Sequence, residues 1–180
     1  LLEGGVHNIE VTFGANNPAR VIEAAKKTFG NDVFIGAGTV LNEEHVKIAV
    51  DAGAQFAFSP IYNEEVVRLS LENNIISIPG CYSPTEIYAA HQLGAHAIKV
   101  FPATSLGPSF IKDIKSPMPY INIIPTGGIN KENIVSYLNA GAFAVGLGSS
   151  LINTELVDSK SFNQITIRAQ EFISIINQIQ

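Results

Sequence analysis

Cysteine, clusters of basic residues and long apolar runs are all scarce in this sequence. Cys81 is the single cysteine among 180 residues, which excludes an internal disulfide and fits a reducing, cytoplasmic location. The formal net charge is −5 and the basic residues form no run, so neither a nucleic acid nor an anionic membrane is expected as a partner. No apolar stretch approaches the roughly eighteen residues that a membrane-spanning helix needs.

Apolar residues, by contrast, are abundant enough to form a sizeable core. Hydrophobic residues make up 46% of the chain, and charged residues make up only 15%. This composition excludes a disordered chain and predicts a single globular domain over residues 1–180.

Short apolar segments alternate with helical segments along the whole chain. No hairpin signal joins two apolar segments, which indicates parallel strands connected by crossover helices. The predicted strands span residues 6–12, 33–35, 55–58, 75–78, 97–101, 121–124 and 143–147. The predicted helices span residues 17–29, 42–52, 63–72, 83–94 and 131–139, with a short helix around 110–114 and a final amphipathic helix within 161–180.

Two parallel architectures fit this order of elements, a doubly wound open sheet and a (β/α)8 barrel. The fingerprint G-x-G-x-x-G is missing from the first strand–helix turn, and segment 36–38 lacks its third glycine, so the barrel is favoured. Residues 1–5 have the pattern of a helix end closed by glycine. We therefore expect a TIM barrel whose first strand and most of whose first helix are missing from this chain, since complete barrels have about 200 residues or more.

Lys99 stands in an otherwise apolar strand that runs toward Pro102. Strand alternation places Lys99 on the same face as Ala97 and Phe101, and this face points into the barrel if the branched residues face the helices. Desolvation there would lower the lysine pKa and leave a nucleophilic amine that can condense with a carbonyl. The alternative is a structural lysine whose tip reaches solvent at the mouth of the barrel.

Glu10 points inward by the same alternation, toward the C-terminal end of its strand. A carboxylate in apolar surroundings has a raised pKa, which suits a proton shuttle that works near neutral pH. The alternative is a structural ion pair with Lys99, because the same geometry would bring the two side chains together. The sequence leaves both interpretations open.

Glycine-rich loops at residues 126–128 and 148–150 follow the last two predicted strands. Glycines there expose backbone N–H groups, and a following helix N-terminus adds its dipole, so the two loops together predict a phosphate site. The four histidines show no metal-ligand spacing, so no metal site and no cofactor are expected. The histidines are expected to lie at the surface or to satisfy local hydrogen bonds.

A set of segments in chain order resembles the KDPG/KHG aldolases, over nearly the whole sequence. The resemblance implies a class I aldolase that acts on keto acids, with 2-keto-3-deoxy-6-phosphogluconate and 4-hydroxy-2-oxoglutarate as the family's substrates. It also suggests a homotrimer. The segments are IEVTF at 9–13, GAGTVLN at 36–42, AFSP at 57–60, IPGC at 78–81, IKVFPA at 98–103, GPSFIK at 107–112, PTGGIN at 125–130 and GLGSSL at 146–151.

The same resemblance implies roles for individual residues. Lys99 would form the Schiff base with pyruvate or with the keto carbon of the substrate, and Glu10 would relay protons. This chain departs from the family pattern at Gly14, where many members have an arginine that helps to anchor the substrate carboxylate. The implied substrate contacts are Thr39, Thr126, Phe101 and Pro60, and the implied phosphate contacts are Gly127, Gly128, Gly148 and Ser149.

Two other functions are compatible with a phosphate-binding barrel. A sugar-phosphate epimerase or a thiamin-phosphate synthase would need metal ligands or a diphosphate site, and neither is evident in the sequence. A non-catalytic barrel that senses sugar-acid phosphates is the second alternative.

Overall fold

Parallel strands alternating with helices make up this protein, as the computed structural model describes it over residues 1–179. This confirms the predicted α/β class, whereas closure into an eight-stranded barrel stays a prediction. The chain divides into two units by its internal contacts: residues 8–101 form one, and residues 1–7 with the chain from residue 102 onward form the other.

The unit of residues 8–101 is built on parallel strands, each of which leads toward a helix or a short turn. Its strands are β1 (Asn8–Thr12), β2 (Phe34–Gly38), β3 (Phe56–Phe58), β4 (Ile76–Ile78), β5 (Gly80–Cys81) and β6 (Ile98–Val100). Its helices are α1 (Pro18–Phe29), α2 (Glu43–Asp51), α3 (Glu64–Glu72) and α4 (Pro84–Gln92). Strands β1 to β4 pair in chain order, and β5 pairs with β6. In this register Glu10 lies opposite Gly36, and Lys99 lies opposite Gly80.

Polar side chains begin the helices of this unit at positions that the sequence pattern indicates. The Asn42 side-chain oxygen accepts the N–H of His45 at 2.9 Å, which caps α2. Ser83 and Glu86 form a reciprocal capping box at the start of α4. Such caps satisfy backbone donors that have no partner inside the helix, which is why the sequence locates these helix starts well. Asn17 and Asn63 cap α1 and α3 in the same way.

The other unit is mainly helical. A 3₁₀ turn at Leu2–Gly4 packs against its last helix, where a Cβ on Gly4 would overlap Ala169. The predicted short helix around 110–114 begins earlier than expected, at residue 103, because two helical pieces meet at Gly107 with a left-handed φ of 72°. The elements are α5 (Ala103–Lys115), β7 (Ile123–Pro125), α6 (Ile134–Asn139), α7 (Thr154–Asp158) and α8 (Phe162–Asn177).

The predicted seventh strand at residues 143–147 is wrong. Gly146 forms an isolated parallel bridge with Thr126, and the N–H of Phe143 donates to the Ile123 carbonyl at 2.9 Å. The segment therefore follows the course of β7 without forming a ladder, and Phe143 is 65% exposed. Gly146 weakens a strand here, because glycine loses more backbone entropy on ordering and packs no side chain.

The final helix α8 confirms the predicted amphipathic helix over residues 162–177, and residue 180 of that prediction lies outside the described residues. Helix α7 is not predicted from the sequence, because its five residues are too few to show a helical period. In the described part of the chain, every helix is too short or too polar to cross a bilayer.

Candidate active site

Lys99 occupies the middle of β6 and is only 6% exposed. Its ammonium nitrogen lies 4.2 Å from the ring centroid of Phe58 and 4.9 Å from that of Phe101. Burial lowers the pKa of Lys99, and the negative charge of Glu10 opposes this shift without cancelling it. The side chain thus does not reach solvent, as a structural lysine at a barrel mouth would, and its amine is easier to deprotonate than that of an ordinary lysine.

Glu10 lies at the centre of β1 and shows the complementary shift. Burial raises the pKa of the Glu10 carboxyl, and the positive charge of Lys99 opposes the increase. Within residues 1–179 the two side chains do not form a direct ion pair. They interact electrostatically at longer range, so the structural ion pair is not what the geometry provides.

The Glu10 carboxylate occupies the space over Gly38, on the neighbouring strand β2. A Cβ built on Gly38 would overlap the carboxylate and the adjoining side-chain carbons of Glu10. Gly38 is itself buried and in the register of Thr12. Glycine at position 38 therefore leaves room for the Glu10 carboxylate, which explains the second glycine of the GAGT segment.

Replacing Gly38 with alanine is expected to displace the Glu10 carboxylate while leaving the fold intact, because the overlapping atoms belong to the mobile end of a side chain. If Glu10 relays protons, as the family resemblance implies, misplacing its carboxylate by about 1 Å would reduce turnover by about 10- to 100-fold. Steady-state kinetics of the pyruvate release that the same resemblance implies would measure the effect. Adding Gly38→Ala to a Glu10→Gln variant should cause little further loss, and a full multiplicative loss would contradict this explanation.

Thr39 follows β2 directly and has an unusual backbone. Its φ is 57°, a left-handed value that is strained for a β-branched residue and persists only when the surroundings enforce it. Pro60 follows β3, and a Cβ on Gly80 would overlap the Pro60 backbone. These two predicted substrate contacts therefore belong to tightly defined turns at the C-terminal ends of strands, in the same unit as Lys99.

The predicted phosphate loops lie in the other unit. Thr126 follows β7 and forms a bridge with Gly146, which joins the loop at 126–128 to the segment that leads to Gly148. Gly127 and Gly128 have left-handed φ values of 98° and 72°, so glycine is needed at both. Gly128, Gly148 and Ser149 are exposed. The two loops are thus neighbours, with backbone open to a ligand.

Sequence reasoning missed Phe58 as a member of the candidate site. Its ring is the nearer of the two aromatic contacts to the Lys99 nitrogen. The AFSP segment could have indicated it, because alternation in an extended strand places Phe58 on the same face as Pro60, a predicted substrate contact.

Cys81 is packed rather than reactive. It is 2% exposed, and burial together with the nearby Glu86 raises the pKa of its thiol to about 12. In the described chain, no group of three His, Cys, Asp or Glu side chains is arranged to hold a metal ion.

Fold and site together define an α/β protein with parallel strands in which a desolvated amine and a desolvated carboxyl lie within electrostatic reach. The sequence profile of the KDPG and KHG aldolase family matches residues 1–168. The chain belongs to this family, which confirms the resemblance based on its motifs. Family membership supports an aldolase, that is, a carbon–carbon lyase.

Individual relatives carry two different substrate names. The chain is 33% identical over 152 residues to the 2-dehydro-3-deoxy-6-phosphogalactonate aldolase of Escherichia coli K12, covering 84% of this chain and 74% of the relative. It is 34% identical over 177 residues to the 2-dehydro-3-deoxy-phosphogluconate aldolase of Treponema pallidum, covering 98% and 84%. A solved structure of KDPG aldolase from Legionella pneumophila, with pyruvate captured as a covalent carbinolamine intermediate, matches with a TM-score of 0.87 at 33% identity, covering 93% and 82%.

Proposed function

We propose that this protein is a class I aldolase that cleaves 2-keto-3-deoxy-6-phosphogluconate to pyruvate and glyceraldehyde 3-phosphate, through a Schiff base on Lys99. The observation that carries the proposal is the buried Lys99 amine, whose pKa is lowered and which lies over two aromatic rings. A covalent carbinolamine with pyruvate in the Legionella relative supports the same chemistry. Cleavage of 4-hydroxy-2-oxoglutarate to pyruvate and glyoxylate would follow the same route.

The first half of the reaction forms the imine. The neutral Lys99 amine attacks C2 of the keto acid, and the carbonyl oxygen becomes the hydroxyl of a carbinolamine. Glu10 donates a proton to this hydroxyl, water leaves, and a protonated imine remains. The raised pKa of Glu10 supports this role, because a carboxyl that holds its proton toward neutral pH can act as the acid.

The second half breaks the carbon–carbon bond. The Glu10 carboxylate takes the proton of the C4 hydroxyl, the C3–C4 electron pair moves toward the protonated imine, and glyceraldehyde 3-phosphate leaves. Glu10 returns this proton to C3 of the remaining enamine, and water hydrolyses the resulting imine to pyruvate and the free Lys99 amine. Glu10 therefore alternates between acid and base, which suits a single carboxyl with a shifted pKa.

The remaining predicted residues would bind the substrate. The family resemblance implies that Thr39, Thr126, Phe101 and Pro60 would contact the substrate, Thr39 and Thr126 at its pyruvyl part, and that a phosphate would take backbone N–H groups of the glycine loops. The left-handed glycines at 127 and 128 and the exposed loop at 148–149 support an anion site of this kind. Such a site does not depend on lysine or arginine, in keeping with the acidic composition of the chain.

The relatives divide between phosphogluconate and phosphogalactonate names, so both types of substrate are compared in the test. Gly14 lacks the cation that many family members use for the carboxylate. The position has room for a side chain, since a Cβ there would meet only the Thr12 hydroxyl, at 3.8 Å.

The proposal is tested by supplying three substrates, the gluconate-type and galactonate-type phosphorylated keto acids and 4-hydroxy-2-oxoglutarate, and measuring pyruvate release. Borohydride is then added with pyruvate, and the modified peptide is mapped by mass spectrometry. We expect pyruvate release from a phosphorylated substrate, unaffected by a chelator, and a reduced adduct on Lys99. A protein that releases no pyruvate from any of the three and carries no adduct would be a binding protein or a different enzyme.

A homotrimer in the cytoplasm, as the family resemblance suggests, completes the proposal. Light scattering coupled to size-exclusion chromatography measures the assembly directly, and a monomer at micromolar concentration would contradict the trimer.

A further inference from the structure

The turn between β2 and α2, residues 39–42, is held by a side chain to which the proposed reaction assigns no role. This turn begins with Thr39, whose left-handed φ of 57° is strained for threonine. Strain of this kind needs contacts that enforce it, so the surroundings of the turn identify what fixes the Thr39 backbone.

His45, in the first turn of α2, supplies those contacts. Its Nδ1 accepts the backbone N–H of Leu41 at 3.3 Å and lies 3.3 Å from the carbonyl oxygen of Thr39. The imidazole ring also stacks on Phe13, with 4.2 Å between the ring centroids and 7° between the planes. The imidazole ring of His45 thus contacts Phe13, which follows β1, and also the backbone of Thr39 and Leu41.

In either tautomer of the imidazole, Nδ1 forms a hydrogen bond that joins the turn to α2. An unprotonated Nδ1 accepts from Leu41, since a backbone N–H can only donate, and a protonated Nδ1 donates to the Thr39 carbonyl. His45 can therefore position the turn in either tautomer.

Neighbouring contacts connect this turn to the surroundings of Lys99. The N–H of Val40 donates to the carbonyl of Phe58 at 3.3 Å, and the Phe58 ring lies 4.2 Å from the Lys99 nitrogen. The Asn63 side chain donates to the Leu41 carbonyl at 3.1 Å. These bonds hold the middle of the turn, whereas His45 is the side chain that reaches Thr39 itself.

We propose that His45 is a positioning residue that holds Thr39 in its strained conformation and so directs the Thr39 side chain. The consequence for catalysis rests on the proposed function, in which Thr39 contacts the pyruvyl part of the substrate. Phe13 fixes the plane of the imidazole, and the δ nitrogen transmits that position to the turn. The alternative is a histidine that only packs on the helix surface and does not affect the conformation of Thr39.

Two variants of His45 separate the stacking from the hydrogen bond. His45→Phe keeps a flat ring against Phe13 but loses the nitrogen, whereas His45→Asn loses the ring but keeps a polar atom at the δ position. Losing one such bond corresponds to about 3- to 10-fold in an equilibrium. We therefore expect His45→Phe to raise KM by about 3- to 10-fold with kcat little changed, and His45→Asn to remain near the parent. Lys47→Gln, on the exposed side of the same helix, is the matched control and should change neither.

Coupling to Thr39 provides the readout that a merely structural role would not move. Because His45 acts through Thr39, the His45→Phe/Thr39→Ala double variant should be no worse than Thr39→Ala alone. Losses that multiply, or a His45→Phe variant with an unchanged KM, would overturn the proposal.

Hydrogen exchange at the Leu41 amide, followed by NMR, tests the same inference without any turnover. His45→Phe should accelerate this exchange while His45→Asn preserves its protection, and equal exchange in parent and His45→Phe would show that the nitrogen does not hold the turn. If the parent protein traps no pyruvate, the aldolase proposal fails, but the Leu41 exchange rates still decide whether His45 positions the turn.

Discussion

Replacing Lys99 with methionine should abolish pyruvate release, with kcat reduced by at least about 10⁴-fold, because the covalent route through the imine is lost. Methionine resembles lysine in length and fills the space over Phe58 and Phe101, but it has no amine. The coupled assay for pyruvate measures the loss, and mass spectrometry after borohydride treatment should find no adduct. Circular dichroism confirms that the variant is folded.

Lys99→Arg serves as the matched control for charge. Arginine keeps a cation near Glu10, but its guanidinium is not a nucleophile under these conditions. If the positive charge alone were needed, as in a binding protein that holds an anion, the arginine variant would retain function. Either variant retaining more than about 1% of the parent kcat would contradict a covalent role for Lys99, given the size of loss that nucleophile removal causes.

Replacing Glu10 with glutamine should reduce kcat by about 10²- to 10⁴-fold, the usual contribution of general acid–base catalysis. Glutamine keeps the shape of the side chain over Gly38 but cannot transfer the proton. Imine formation with pyruvate should persist at a lower rate, so borohydride should still label Lys99. A variant that turns over normally, or one that neither turns over nor labels, would remove Glu10 from the proposed role.

The pH dependence separates the contributions of the two groups. Imine formation needs the neutral Lys99 amine together with the protonated Glu10 carboxyl, so turnover should pass through a maximum with pH. It should be limited at low pH by protonation of Lys99, whose pKa lies below 10.5, and at high pH by ionisation of Glu10, whose pKa lies above 4.5. The Glu10→Gln variant should lose the decrease at high pH and keep the increase that comes from deprotonation of Lys99. Initial rates across the accessible pH range provide this comparison.

The sequence predicts those parts of the molecule that depend on near neighbours. Strand alternation is a local property, so it places Lys99 and Phe101 on one face and Glu10 on the inner face of β1. Helix starts are equally local, because a cap such as Ser83 with Glu86 acts over three residues. The family resemblance then predicts that these residues belong to one site.

What the sequence could not predict depends on contacts between distant segments. Phe58 is 41 residues from Lys99 in the chain, and His45 meets Phe13 only because β1 and β2 are adjacent. The left-handed backbone of Thr39 is invisible to propensity, which disfavours it for a β-branched residue. The prediction of a strand at 143–147 failed for the same reason. A strand forms a ladder only with a partner strand, and local composition does not specify that partner.

The desolvation of Lys99 and Glu10 also lowers the free energy of unfolding whenever these groups are charged. A folded-state pKa below 10.5 makes the stability contributed by Lys99 present at high pH and lost as pH falls through that pKa. A folded-state pKa above 4.5 makes the contribution of Glu10 present at low pH and lost as pH rises through it. Where both groups are charged, the native state is less stable than it would be with neutral residues of the same shape. Selection for thermal robustness alone would disfavour this pair, whereas the chemistry of the proposed function would account for keeping both residues.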